Sequence, residues 1–183
     1  RAIGRVGRHN IRNFVAEGGG YVGFCAGANL ALCDRYPNSL GLCPTVNLDP
    51  HYPDPIFWRG TGCVDLNVTP QGQAILGAAT LHRVCYFNGP LLGSVPVQVN
   101  PKAPLWPCDM EVIATFRETQ PLARKHPLPE DALAMGGTAA IVGCSFGKGK
   151  VVVSSVHLEK PTCPRWERHS RSLAALVAWV APR

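Results

Sequence analysis

The run Gly18-Gly19-Gly20-Tyr21-Val22-Gly23-Phe24-Cys25-Ala26-Gly27-Ala28-Asn29-Leu30-Ala31-Leu32 decides how the rest of the chain is read. Three glycines end whatever precedes them, and Tyr21 to Phe24 is a short apolar run of the kind that forms a buried strand. Ala26 to Leu32 is rich in good helix formers. Cys25 stands at the junction with a glycine two positions away on each side, the pattern of a nucleophile elbow with cysteine in place of serine. Such a turn has no room for side chains at its flanking positions. It lifts the thiol onto the N-terminal end of a helix, where the dipole and free N–H groups favour the thiolate. It also aims the Ala26 N–H at any oxyanion that develops. The competing reading is a buried structural cysteine in a glycine-rich turn; strand, glycines, thiol and helix together favour the elbow.

A chain of 183 residues with 46% hydrophobic and 16% charged content has enough apolar material for one globular domain, read as residues 1–183. No apolar run reaches the length of a membrane span, and the basic stretch Arg1 to Arg12 has no hydrophobic segment behind it, so neither a membrane span nor a signal peptide is expected. The net charge of +6 is scattered, and the small basic clusters at Arg1–Arg12 and Arg165–Arg171 lack interleaved stacking aromatics. That argues for a solvated basic face rather than a nucleic-acid surface. Eight cysteines stand at 25, 33, 43, 63, 85, 108, 144 and 163, with no C-x-x-C pair and no finger-type spacing, so no metal is expected. Several lie in apolar runs, where a free cysteine acts as a small hydrophobe; the compartment is read as reducing and cytoplasmic. The sequon Asn67-Val68-Thr69 is then unused.

Apolar residues at Ile11, Phe14 and Val15 predict a helix over Asn10–Ala16 leading into the Tyr21 strand. No strand is read before it, so the chain opens as though the first strands of a parallel α/β sheet were missing. Arg35–Gly62 carries five prolines and is read as a long irregular connection, a wall or lid beside the elbow, with short strands at Ile56–Trp58 and Val64–Leu66. Leu81–Phe87 and Glu111–Phe116 read as strands, Pro96–Pro107 as an extended Pro-rich segment and Thr119–Leu133 as a loop. Thr138–Cys144 and Lys150–Ser155 form a hairpin around Ser145–Gly149. A last helix over Arg165–Val180 shows Trp166, Leu173, Leu176, Val177 and Val180 at a spacing that packs on a sheet. The expected fold is α/β, a mostly parallel central sheet with helices on both faces and Tyr21–Phe24 near its centre.

The Val151–Val153 strand delivers His157-Leu158-Glu159 just past its end. Extended residues two apart point the same way, so the Glu159 carboxylate can hold one ring nitrogen of His157 while the other takes a proton from a nucleophile. An isolated H-x-E is usually a surface loop. With the elbow upstream it completes a thiol triad, Cys25 as nucleophile, His157 as base and Glu159 as orienting acid. His9, His51, His82, His126 and His169 lack such an arrangement.

The Gly23-Phe24-Cys25-Ala26-Gly27 elbow and the late His157-Leu158-Glu159 resemble the class I glutamine amidotransferase superfamily. The run Ile11-Arg12-Asn13-Phe14-Val15 through Gly18–Ala28, with Tyr86–Pro90 and Gly147–Glu159, is similar to one branch, the amidotransferase-like domain at the N-terminus of some biotin-protein ligases. The resemblance covers most of the chain except its middle loops. It implies a flavodoxin-like three-layer sandwich, the triad above, and an oxyanion donor at Ala26. It also marks Gly23, Gly27, Asn88 and Gly89 as substrate-binding positions, with a small molecule as substrate and no cofactor. Two departures stand out. Leu158 replaces the proline of the family's H-P-E, and the Gly-rich loop that supplies a second oxyanion donor is not found ahead of the elbow. Ligase activity is not implied, because nothing continues the faint adenylate-loop echo of Gly4-Arg5-Val6-Gly7-Arg8. The alternative is a non-catalytic metabolite- or partner-binding module that regulates a biotin-protein ligase domain.

Overall fold

The computed structural model describes residues 3–33, 39–49, 58–94, 110–118, 122–124, 126–160 and 166–182. The expected short strand at 56–58, except Trp58, and the extended segment at 96–107 lie outside these residues. The elements are α1 (Arg5–Ala16), β1 (Gly20–Phe24), α2 (Ala26–Ala31), β2 (Thr45–Asn47), β3 (Thr61–Val68), α3 (Pro70–Leu76), β4 (Thr80–Phe87), β5 (Leu92–Ser94), β6 (Glu111–Phe116), β7 (Ala139–Phe146), β8 (Gly149–Ser154), β9 (Val156–His157) and α4 (Trp166–Val180). The chain is a mixed α/β protein built on one large sheet. Its main path runs β1-β8-β7-β6-β3-β4-β9, and β2 and β5 pair beside it.

The expected mostly parallel sheet is corrected: among the described strand pairs only β1–β8 is parallel. For β7–β8 the physical reason is the shortness of the connection, and the other antiparallel pairs are set by long-range packing. β7 turns into β8 through Gly147 and Lys148, with Gly147 at φ 60°. A parallel return would require a crossover of about a dozen residues or more. β1 is corrected as well: it lies at one end of the strand path, not at its centre.

Helices do cover both faces, and the period of two in the strands explains how. On β8, Val152 points into one apolar cluster while Val151 and Val153 point into the other. The first cluster gathers Leu66, Tyr86, Ile113, Phe116 and Ile141 under Leu176 and Val180 of α4. The second gathers Val142, Cys144 and Phe146 under Val15 of α1 and Ala28 and Ala31 of α2. Gly143 leaves room for the Trp179 ring of α4 on the sheet, since a Cβ there would lie 3.0 Å from it. Val177 departs from the expected stripe and is 48% exposed.

The sheet curls until it is nearly a barrel. Only Ser155 separates β8, second on the path, from β9, which pairs with β4 at the far end. One residue spans about 3.3 Å, so the β4 edge must return to the end of β8. This closure positions the site described below.

Three further differences from the sequence reading have local causes. α1 begins at Arg5, well ahead of Asn10, and takes in a basic stretch whose polar residues face water. α3 was not expected, although its signals are present. The Thr69 hydroxyl caps Gly72 N, Pro70 starts the helix, and Gly77 ends it in the left-handed region. Cys63 is disulfide-bonded, whereas Cys25, Cys33, Cys43, Cys85 and Cys144 carry thiols. The reading of the cysteines as free hydrophobes is thereby corrected at Cys63. Among the described residues no helix is long and apolar enough to cross a membrane.

Candidate thiol active site

Cys25 lies between β1 and α2 with φ 49° and ψ −106°. For a residue with a side chain this is strained backbone of the kind held at functional turns. The strain is fixed from both sides: Cys25 N–H donates to Ser154 O at 2.8 Å, and Asn29 N–H donates to Cys25 O at 3.0 Å to start the helix. Gly23 has to be glycine, because a Cβ there would lie 2.5 Å from Gly27 O. Tyr21 locks the same turn by donating its hydroxyl to Gly27 O at 2.7 Å, and burial raises its pKa to about 12.

The sheet closure brings the end of β4 to this turn. Cys25 Sγ donates to Phe87 O at 3.3 Å. His157 is in register with Cys85, two residues before Phe87, and is 8% exposed. Its Nδ1 and Glu159 Oε1 are 2.6 Å apart, as expected from the H-x-E spacing. With Nδ1–H donating to the carboxylate, Nε2 carries the lone pair. Nε2 is buried and has no hydrogen-bond partner among the described residues. A buried imidazole nitrogen costs about 1–3 kcal/mol when left unpaired, and such a group calls for a functional explanation. The thiol and Nε2 are not hydrogen-bonded to each other here; the thiol is turned to Phe87 O. Between His157 and Glu159, Leu158 is fully buried in the core. That packing accounts for a leucine where a proline would leave a void.

The expectation that Cys25 is acidified by its surroundings is corrected. Burial pushes the thiol above its ordinary value. The Ala26 N–H, which hydrogen-bonds the sulfur, and the Lys160 charge pull it back, while Glu159 and Cys85 push it further up. A raised thiol pKa means less thiolate at neutral pH than a free cysteine carries. Reactivity at neutral pH would therefore require a base.

The expected substrate-binding positions fall into two groups. Gly27 is open, since a Cβ there would meet nothing nearer than Tyr21 Oη at 3.9 Å. The other three serve packing or hydrogen bonds within the chain. Gly23 clears Gly27, Gly89 would place a Cβ 2.0 Å from Ser155 O, and Asn88 accepts from Arg59 N at 2.6 Å with its own φ at 49°.

Sequence reasoning missed the residues that build the wall around Asn88. Arg59 is 3% exposed and forms an ion pair with the buried Asp49. Its Nε donates to Asp49 Oδ2 at 3.0 Å and its Nη1 to Leu133 O at 2.8 Å, while Arg124 Nε donates back to Arg59 O at 2.8 Å. Trp58, Phe87 and Lys160 were also missed. For Phe87 and Lys160 the available signal was their place next to Asn88 and Glu159 in the sequence, and Trp58 had none. Two cavities lie away from this site, one of about 300 Å³ between α3, β4 and α4 and one of about 560 Å³ by the β7–β8 turn.

No family model matches this chain, and no curated protein does. Solved structures do. The cytoplasmic protein STM3548 from Salmonella typhimurium superposes with a TM-score of 0.57 at 10% identity, over 97% of this chain and 61% of its own. The cytoplasmic protein STM1381 from Salmonella typhimurium LT2 gives 0.54 at 14%, over 95% and 60%. A ThuA-like protein from Bacteroides uniformis gives 0.53 at 15%, over 97% and 64%. The chain thus spans about three fifths of each, and at these identities the likeness is one of fold.

Proposed function

We propose that this chain is a thiol-dependent amide-processing domain of the glutamine amidotransferase-like type, related to the N-terminal domain of biotin-protein ligases, with a flavodoxin-like core. One observation carries the reading: Cys25 is held at φ 49° on a strand-to-helix turn, in a site that also holds a buried His157 whose Nε2 is unpartnered and whose Nδ1 is fixed by Glu159. Cys25 Sγ attacks the amide carbonyl carbon and its proton passes to His157 Nε2. As the S–C bond forms, the carbonyl electron pair moves to oxygen, and the Ala26 N–H stabilises that oxyanion. Collapse breaks the C–N bond, and the leaving amine takes the proton from Nε2. Water, deprotonated by the same nitrogen, then attacks the thioester carbon; the C–S bond breaks, the acid leaves, and Nε2 returns its proton to Cys25 Sγ.

The substrate is a small molecule, and the domain works beside a biotin-protein ligase domain in the cytoplasm. The cytoplasmic placement is supported by the names of two proteins of similar fold. The Cys63 disulfide counts against it, since such bonds persist mainly in oxidising compartments. A second reading, a non-catalytic metabolite-binding module, is favoured by the thiol's bond to Phe87 O and its raised pKa. Incubating the purified protein with a metabolite extract distinguishes the two. The enzyme depletes one amide and produces the matching acid, and Cys25→Ser does not. A binding module retains a metabolite unchanged, equally in wild type and Cys25→Ser.

A further inference from the structure

Phe87 joins three features of the site. Its carbonyl oxygen holds the Cys25 thiol, its ring packs edge-to-face on Trp58 with centroids 5.1 Å apart, and Lys160 Nζ sits 4.9 Å from its ring centre. Both rings remain in water, Trp58 36% and Phe87 46% exposed. Lys160 forms no ion pair among the described residues, and its charge is felt at Cys25. The neighbouring carboxylate of Glu159 is engaged by His157. Beside the thiol there is thus an apolar corner of two rings, with a cation at its edge.

We propose that this corner reads the substrate: the amide processed at Cys25 carries a flat apolar group, seated on Trp58 and Phe87, and an anionic group such as a carboxylate, held by Lys160. The inference rests on Cys25 being the nucleophile. Exposed aromatic faces give up water when a flat group covers them. An ammonium already stacked on a ring has lost part of its freedom and is placed to meet an anion. The net charge of +6 draws an anionic substrate toward the surface in the same sense. Glutamine, which has no flat apolar group, leaves the corner empty.

The test uses three electrophiles of one chemistry: iodoacetamide, N-phenyl iodoacetamide and 4-(iodoacetamido)benzoate. In each case the thiolate sulfur displaces iodide to form a thioether, and the rate at Cys25 is read by peptide mass spectrometry. The wild type is expected to react about fivefold faster with the neutral aromatic reagent than with iodoacetamide, after correction for their rates with free cysteine. The anionic aromatic reagent is expected to gain about fivefold more. Lys160→Gln should abolish the second gain and keep the first, and Trp58→Ala should reduce the first. These are ratios within one variant, so a change in thiol pKa or a loss of His157 scales all three rates and leaves the ratios intact. Failure of the nucleophile reading would show as iodoacetamide rates indifferent to His157→Ala. An anionic-to-neutral ratio near one in wild type, or one unmoved by Lys160→Gln, would overturn the inference.

Discussion

His157→Ala is expected to slow alkylation of Cys25 by iodoacetamide near neutral pH by at least about tenfold, a conservative floor under the 10²–10⁴-fold typical of a positioned general base. The argument begins with the thiol. Burial holds its pKa above the ordinary value, so unaided it is almost wholly protonated at neutral pH. His157 Nε2 is buried, without a hydrogen-bond partner among the described residues and fixed in tautomer by Glu159, and in the proposed mechanism it takes that proton. Glu159→Gln should slow the reaction less, by about three- to tenfold, since the amide oxygen can still accept from Nδ1–H but no longer stabilises an imidazolium. Rates are read at Cys25 and at Cys85 in the same digest, so that unfolding would reveal itself as faster labelling of both. A greater loss from Glu159→Gln than from His157→Ala would reverse the assigned roles.

Arg59→Ala is expected to destabilise the fold by about 3–5 kcal/mol, because it strips the guanidinium from the buried Asp49 carboxylate. The same change removes the donor to Leu133 O and loosens the segment that Asn88 holds against β4. Urea denaturation checks this: with a slope of about 1–3 kcal/mol per molar, the midpoint should fall by more than about 1 M. Arg59→Met combined with Asp49→Leu should recover most of the loss, since replacing both partners of a buried pair by apolar groups of similar volume is often neutral. A midpoint unchanged by Arg59→Ala would show that the pair contributes nothing to holding the wall of the site.

The parts of this site visible in the sequence were those whose geometry is local. The glycine two residues before Cys25 encodes the turn, because Gly23 approaches Gly27 O within a distance that excludes a Cβ, whereas Gly27 has room for one. His157 and Glu159 meet because residues two apart in extended chain share a face. The curl of the sheet was not legible, since it depends on β9 leaving β8 to pair with β4, a choice made by long-range packing. Antiparallel pairing escaped for the same reason outside the β7–β8 hairpin, whose tight turn did announce it. The sign of the Cys25 shift was missed because a helix of only six residues and one N–H are outweighed by burial, which no local motif reports. Arg59 and Asp49 sit in a Pro-rich stretch read as an irregular wall or lid, and nothing local in it reports that both side chains are almost fully buried.

The central claim, that His157 activates Cys25, is tested most directly by the pH dependence of Cys25 alkylation in wild type and His157→Ala. A thiol with a raised pKa and no base gains reactivity only as the solution becomes alkaline, beyond the ordinary 9.0. His157→Ala should therefore show a single rise in that range. The wild type should show an additional limb at neutral pH, where imidazole accepts the thiol proton, and the two curves should converge as the pH rises. Superimposable curves with one alkaline rise would contradict the account and leave Cys25 a buried thiol beside a structural histidine.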